Sequence, residues 1–433
     1  MELKIDIFPK DGIMHVQTKY KPNDINYPHF YLNRDANFIS FFCDGKKAAF
    51  EACLVNHPMI GDYAVNKIAI PNFSDCLDIT YTLKLSGKTG CFPYVRETIT
   101  PEFTFIRWET FCYPMFCDGW DSFRNTYTRP YDIHLTIPDG YEAIASVPIA
   151  NIQDIAPDKR QISYASCYPG SDIFNCAIAQ YTRLDFAFGP IYFLGPIDDE
   201  KQQMIEGAMQ FALDYMNTHF GHNDFRSGLT YASVPNGLGS FVIPDAGKVF
   251  IQESTFDKLE TLNQIIHEFI HLGWNAMPKP SVQRTRFFDE AFTSYFETRV
   301  MRNLLNDDSI NGRSHARPGI DAIKAGQYQL VPICDYGEME YGDLSYTIGA
   351  LCLEELCTLL GQPLFDQATK SFLDKHKETP ADFEDFCNEY KSFCGKGYEA
   401  RLTKFFNDWI YSTDALTNHH PGLTSIQFAT ITS

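Results

Sequence analysis

Two histidines bracket an acid in the string His267-Glu268-Phe269-Ile270-His271, and eighteen residues separate His271 from Glu290. For both imidazoles to serve one target, this stretch must be a helix, because positions four apart share a face one turn apart. Leu259, Leu262, Ile265, Ile266 and Phe269 supply helix-compatible apolar residues, and Gly273 is a stop. The string RFFDEAFTSYFETRV around Glu290 is again helical in pattern, with Phe288, Phe292, Tyr295, Phe296 and Val300 as its apolar set. The fold must therefore bring two helices together with a carboxylate opposite two imidazoles. His267, His271 and Glu290 then form a His2Glu donor set with the fourth position open to water, which suits one zinc ion per chain. Glu268, next to the first ligand, is placed to take a proton from that water. With 12 His in the chain, the five-residue pattern alone arises in roughly one such sequence in a hundred; adding Glu290 at its one spacing lowers that to roughly one in a thousand. Two satisfied core histidines and a surface acid are thereby the weaker reading.

Composition narrows the rest. A chain of 433 residues exceeds one core, so two or three domains are expected. A formal net charge of -19 opposes phosphate backbones and argues against nucleic acid as a partner. The 13 cysteines include no CxxC pair, which disfavours zinc ribbons and thioredoxin-like chemistry. The opening MELKIDIFPKDG lacks an apolar run after its charges, and no stretch of about 18 apolar residues is present. Reduced, mostly buried thiols in a cytoplasmic protein without membrane contact are the expectation.

Up to about residue 195 the pattern is β-rich. Alternating runs at Met14–Tyr20, Ile79–Leu85, Phe103–Phe111, Tyr131–Ile137 and Tyr164–Cys167 are separated by turn chemistry such as Asp44-Gly45, Ser86-Gly87 and Pro138-Asp139-Gly140. Two Gly-Pro pairs in GPIYFLGPIDDEK mark a junction. From Asp198 a helical pattern runs to a closing Gly221. Extended runs follow at Gly228–Val234 and Lys248–Gln252, and beyond residue 256 the pattern is helical to about Tyr411. The expected class is α+β multidomain, with a β domain over 1–195 and a second domain over 196–433. The latter divides into an α/β lobe at about 196–255 and a helical lobe at about 256–433.

The metal motif with its eighteen-residue spacing is similar to that of the gluzincin metallopeptidases, and within them to the aminopeptidase N family, which includes the leukotriene hydrolase branch. DEAFTSYFE around Glu290 resembles that family's NEGFA-type helix. Ser345-Tyr346-Thr347-Ile348-Gly349-Ala350-Leu351 resembles its Y-x-K-G-a segment, with Ile348 in place of the Lys. FFNDWIY at Phe405–Tyr411 looks like its closing FF-x-Q-W helix, and the stretch from Tyr131 through Ala145 resembles the extended segment before its catalytic lobe. The resemblance implies a sandwich- or saddle-like β domain followed by a thermolysin-like catalytic domain. It implies hydrolysis of peptide bonds, with Glu268 as general base and Tyr346 as the oxyanion donor.

Two departures bear on specificity. The family's exopeptidases carry G-x-M-E-N before the zinc helix, and its Glu grips the substrate's free amine. Here the region reads NGLGSFVIPDAG, with Gly239 and Ser240 at the corresponding stretch and Asp245 its only acid. Glu109, in Trp108-Glu109-Thr110, is the other candidate for the amine. The long C-terminal helical domain of larger members is not expected in this chain. A glycyl aminopeptidase branch shares HExxHxW- and GFTSYYE-like strings, but the spacing to Glu290 fits the first branch better. The expected activity is aminopeptidase-like. Its alternatives are an endopeptidase, a zinc hydrolase of a non-peptide substrate, and a peptide-binding protein without turnover. His219 and His222 read as a surface helix end rather than a second metal site, and Glu338, Glu340 and Asp343 as a solvated loop.

Overall fold

The computed structural model describes residues 2–22, 27–57, 64–84, 86–89, 96–116, 132–164, 174–222, 228–279, 285–336 and 341–419. The expected Glu338 and Glu340 loop, the run after Tyr164 and the start of the Tyr131 run lie outside them. The chain is α+β, strand-rich in its N-terminal part and helical in its C-terminal part. It divides into two compact units, one of Met1–Ile197 with Ser227–Ser254, the other of Asp198–Arg226 with Thr255–Ser433.

In the first unit, Glu2–Phe8 buries alternate residues, so Leu3, Ile5 and Ile7 face one core. It pairs antiparallel with Ile13–Tyr20 and parallel with Asp132–Pro138, well over a hundred residues away. These strands are central to an eight-stranded sheet; a five-stranded and a three-stranded sheet accompany it. The run at Phe103 is extended only to Ile106. It then tightens into a 3-10 turn, Trp108–Thr110, where Thr110 Oγ1 donates to the Arg107 carbonyl at 2.6 Å. Ser86-Gly87, expected as a turn, instead begins the strand Ser86–Thr89. A further mixed sheet places Gly189–Phe193, Thr230–Val234 and Lys248–Gln252 in parallel, with Phe241–Ile243 at its edge. Gly189 is obligatory there: its φ is 127°, and a Cβ would stand 2.5 Å from the Leu229 carbonyl oxygen.

The second unit opens with helix α1 (Asp199–Phe220), capped by the Asp198 carboxylate on Lys201 N at 2.8 Å and ended at Gly221, φ 97°. Next come α2 (Asn263–His271), α3 (Phe292–Leu305), α4 (Gly312–Lys324), α5 (Ala350–Leu360), α6 (Gln362–His376), α7 (Phe383–Cys394), α8 (Glu399–Trp409) and α9 (Asp414–His419). Every residue of α3 from Phe292 to Met301 is buried, so this helix is the unit's axis. Its apolar side meets Phe287, Phe288, Phe372 and Phe386. Its one buried cation, Arg299, is held by Asp366 at 2.6 and 3.1 Å and by Tyr215 Oη at 3.1 Å. His219 Nδ1 donates to the same Asp366 at 2.8 Å, so its partner is a structural carboxylate. None of the described helices is long and apolar enough to cross a membrane. The ten described cysteines are all free; four are buried, five half-buried and one exposed.

Candidate metal centre

Helix α2 is short, nine residues, and extends from a 3-10 turn at Leu259–Leu262. Ile265, Ile266, Phe269 and Ile270 anchor its buried side, which leaves His267 and His271 on the opposite, partly open face. The chain then passes Thr285 and enters the second element through Arg286, whose φ of 51° lies in the left-handed region. That region is unfavourable for a residue with a Cβ. From there Phe287–Ala291 forms a π turn that leads straight into α3. A π turn holds one more residue than an α turn and recurs at functional sites. Here it carries Glu290 on the same element that α3 locks into the core.

The result is three donor atoms at one point. His267 Nε2 lies 3.1 Å from Glu290 Oε2, His271 Nε2 lies 3.2 Å from the same oxygen, and the two imidazole nitrogens are 3.2 Å apart. Among the described residues this is the one group of three or more such side chains that can share a metal ion. A tetrahedral zinc with bonds of about 2.0–2.1 Å separates its ligands by about 3.3–3.4 Å, so the triangle has the right size. The donor chemistry, two imidazoles and one carboxylate, fits the same ion.

The far side of each ligand is also held. His271 Nδ1 is 2.7 Å from Asp289 Oδ1 and 3.1 Å from Thr293 Oγ1. His267 Nδ1 is 3.6 Å from Glu297 Oε2, and Glu297 Oε1 accepts from Asn263 Nδ2 at 3.2 Å. A carboxylate on Nδ1 keeps the proton there and leaves Nε2 as the lone-pair donor. Asn275 Nδ2 donates to the carbonyls of Phe288 and Asp289 at 3.2 and 2.7 Å, tying the loop after α2 to the π turn. Glu290 Oε1 accepts from Arg286 Nη2. Burial would raise the Glu290 carboxyl, but Arg286 and His271 beside it hold it well below the usual range. Burial also pushes Glu268 up, with His267 and His271 opposing it. That carboxyl shares α2 with both imidazoles and is 8% exposed.

Tyr346 sits in a second π turn, Ser345–Gly349, entered from Gly342–Leu344 and continued by α5. Its ring lies parallel to that of His267, centroids 5.9 Å apart. Its carbonyl accepts from His315 Nε2 at 3.0 Å, and Ser345 Oγ donates to the Thr285 carbonyl. The two π turns pack closely at Gly349, where an added Cβ would lie 2.5 Å from Ala291 Cβ. Burial, and the Glu290 carboxylate beside it, push the Tyr346 phenol well above its ordinary range, so it keeps its proton.

The structure thus brings His267, His271, Glu290 and Tyr346 together, with Glu268 on the same helix as the two imidazoles. Gly239, Ser240, Asp245 and Glu109 belong to the other compact unit. Gly239 has φ 72°, Ser240 Oγ accepts from Gln252 N at 3.2 Å, and Asp245 lies in the 3-10 turn Pro244–Ala246. Glu109 is buried against Arg107, with contacts of 2.5 and 3.2 Å, and Arg107 stacks 4.1 Å from the Phe241 ring. Sequence reasoning missed Asp289, Thr293, Glu297, Asn275 and Arg286. Three of them carried a signal: Asp289, Thr293 and Glu297 stand at -1, +3 and +7 from Glu290 and line one face.

Residues 248–409 match the family described as Peptidase family M1 domain. No curated protein matches the chain. Among solved structures, yeast LTA4 hydrolase is similar at 15% identity and TM-score 0.62, with 95% of this chain and 67% of that one covered. An M1 zinc metallopeptidase from Deinococcus radiodurans is similar at 13% identity and TM-score 0.53, covering 93% and 92%. At such identities the structural likeness speaks for the fold.

Proposed function

With a peptidase family M1 domain over residues 248–409 and the gluzincin motif of the aminopeptidase N type within it, we propose that this chain is a zinc-dependent, aminopeptidase-like peptidase. The convergence of His267 Nε2, His271 Nε2 and Glu290 Oε2 at 3.1–3.2 Å carries the reading. When bound there, zinc supplies a Lewis acid toward the scissile carbonyl and brings the acidity of a water near neutrality. Glu268 is the proposed general base: it takes the water's proton and delivers it to the departing amine. Its buried setting favours this, since a carboxyl lifted from its usual range both accepts and returns a proton readily. Tyr346 is the proposed oxyanion donor, and its retained phenolic proton supports that role. Asp289 and Glu297 hold the imidazole rings in place. The catalytic domain is proposed to span 196–433, after an N-terminal β domain of 1–195. A cytoplasmic location is proposed on the free state of the ten described cysteines.

Metal analysis tests the core of this reading. The purified protein is expected to hold about one zinc per chain, and His271→Ala to lose most of it. A His271→Ala chain that still carries a full equivalent would place the metal elsewhere.

Specificity is a separate matter. A protonated α-amine is costly to bury without an acid, and the segment from Asn236 to Gly247 has only Asp245 to offer. Glu109 is the other proposed anchor, and an amine would have to compete with Arg107 for it. Gly239 and Ser240 are proposed substrate contacts. The expected aminopeptidase activity is weak or unusually selective, with acceptance of blocked N-termini. One peptide series, free and acetylated, decides it. A strong preference for the free amine that survives both Asp245→Asn and Glu109→Gln would rule these anchors out.

A further inference from the structure

Arg286 is a residue whose position needs explaining. It occupies the left-handed region at φ 51°, where glycine or asparagine is the ordinary choice. It is the residue from which the π turn starts, its carbonyl accepting from Glu290 N at 2.8 Å and from Ala291 N at 3.4 Å. Its guanidinium spends Nη2 on two carboxylates, Glu290 Oε1 and, at 3.2 Å, Asp289 Oδ2. The same group lies 5.9 Å from the centre of the Tyr346 ring. Backbone strain persists at a functional site only where the surrounding contacts hold it.

We infer that Arg286 is a positioning residue that restricts Glu290 to one metal-directed oxygen. This rests on the zinc reading of the site. A carboxylate on a metal binds through one oxygen or both. Here Oε1 is engaged by the guanidinium, and only Oε2 faces the two imidazole nitrogens. Arg286 simultaneously restrains Asp289, which orients His271, so one cation sets the geometry of two of the three ligands. A centre with three single-atom protein donors keeps room for water and for the carbonyl that must approach it. With Oε1 released, Glu290 can close on the metal with both oxygens and fill that room.

Cobalt replaces zinc in the test because its visible absorption reports coordination number, weakening as a four-coordinate ion becomes five-coordinate. Arg286→Gly and Arg286→Asn both accept the left-handed backbone and both remove the guanidinium, so each is expected to melt within a few degrees of the parent. In each, the visible absorbance of the cobalt-loaded protein is expected to fall about two-fold or more, as a fourth protein donor atom joins the ion. Loss of cobalt from a variant that remains folded overturns the inference instead, because a released Glu290 is then leaving the metal rather than closing on it with both oxygens. A parent-like cobalt spectrum in either folded variant overturns the inference while leaving the metal assignment intact. A parent chain that takes up no cobalt or zinc overturns the metal reading itself, and this inference with it.

Discussion

Glu268→Gln is expected to keep its zinc and to lose peptide hydrolysis by a factor of about 10²–10⁴ in kcat. The substitution preserves the shape of the side chain and leaves His267 and His271 untouched on the same helix. What it removes is the ability to accept a proton. The fold should tolerate it well, since burial already disfavours the charged form of Glu268 and a neutral amide of the same size avoids that penalty. Zinc content and melting temperature therefore act as internal controls. Steady-state kinetics on any cleaved peptide gives the answer: a variant within a few-fold of the parent would mean that another group takes the proton from water.

Tyr346→Phe is expected to lower kcat by about 10²–10³ with little change in KM. The reasoning is differential. A hydrogen bond to a carbonyl oxygen that is gaining charge strengthens on the way to the transition state, so its loss falls on kcat. The ring itself should stay where it is, because Phe retains the parallel contact with His267 and the π turn is held by Ser345 on the Thr285 carbonyl and by His315 at the Tyr346 carbonyl. A change confined to KM would make Tyr346 a substrate-binding residue instead.

Much of the fold was legible because local chemistry fixed it. Asp198 and Gly221 bound α1 with an N-cap carboxylate and a glycine of positive φ, both readable in the sequence. The alternation in Met14–Tyr20 reads directly as the strand Ile13–Tyr20. Pairing partners are another matter. Nothing local in Glu2–Phe8 announces that its parallel neighbour is Asp132–Pro138, because register across such a separation is settled by the whole sheet. The site divides in the same way. The spacing of His267, His271 and Glu290 is visible in one dimension, and so is the carboxylate face that includes Glu297. Arg286 is not, since an arginine in left-handed conformation contradicts local preference and is retained only by its contacts. The π turns are equally silent, because a helical apolar pattern tolerates a single added residue.

That added residue has a consequence for how a metal centre of this type can be gained or lost. A helix advances about 100° per residue. Deleting Ala291, between Glu290 and α3, would let the turn relax to the α form and carry Glu290 around the axis relative to α3, away from the imidazoles, although every ligand would still be encoded. The same holds for a deletion between Tyr346 and α5 and the aim of Tyr346. The centre is thus specified by chain length as much as by side-chain identity. In evolutionary terms, a one-codon deletion here would be as disabling as the loss of a histidine, and a one-codon insertion into a plain helix is a short route by which such a site can arise.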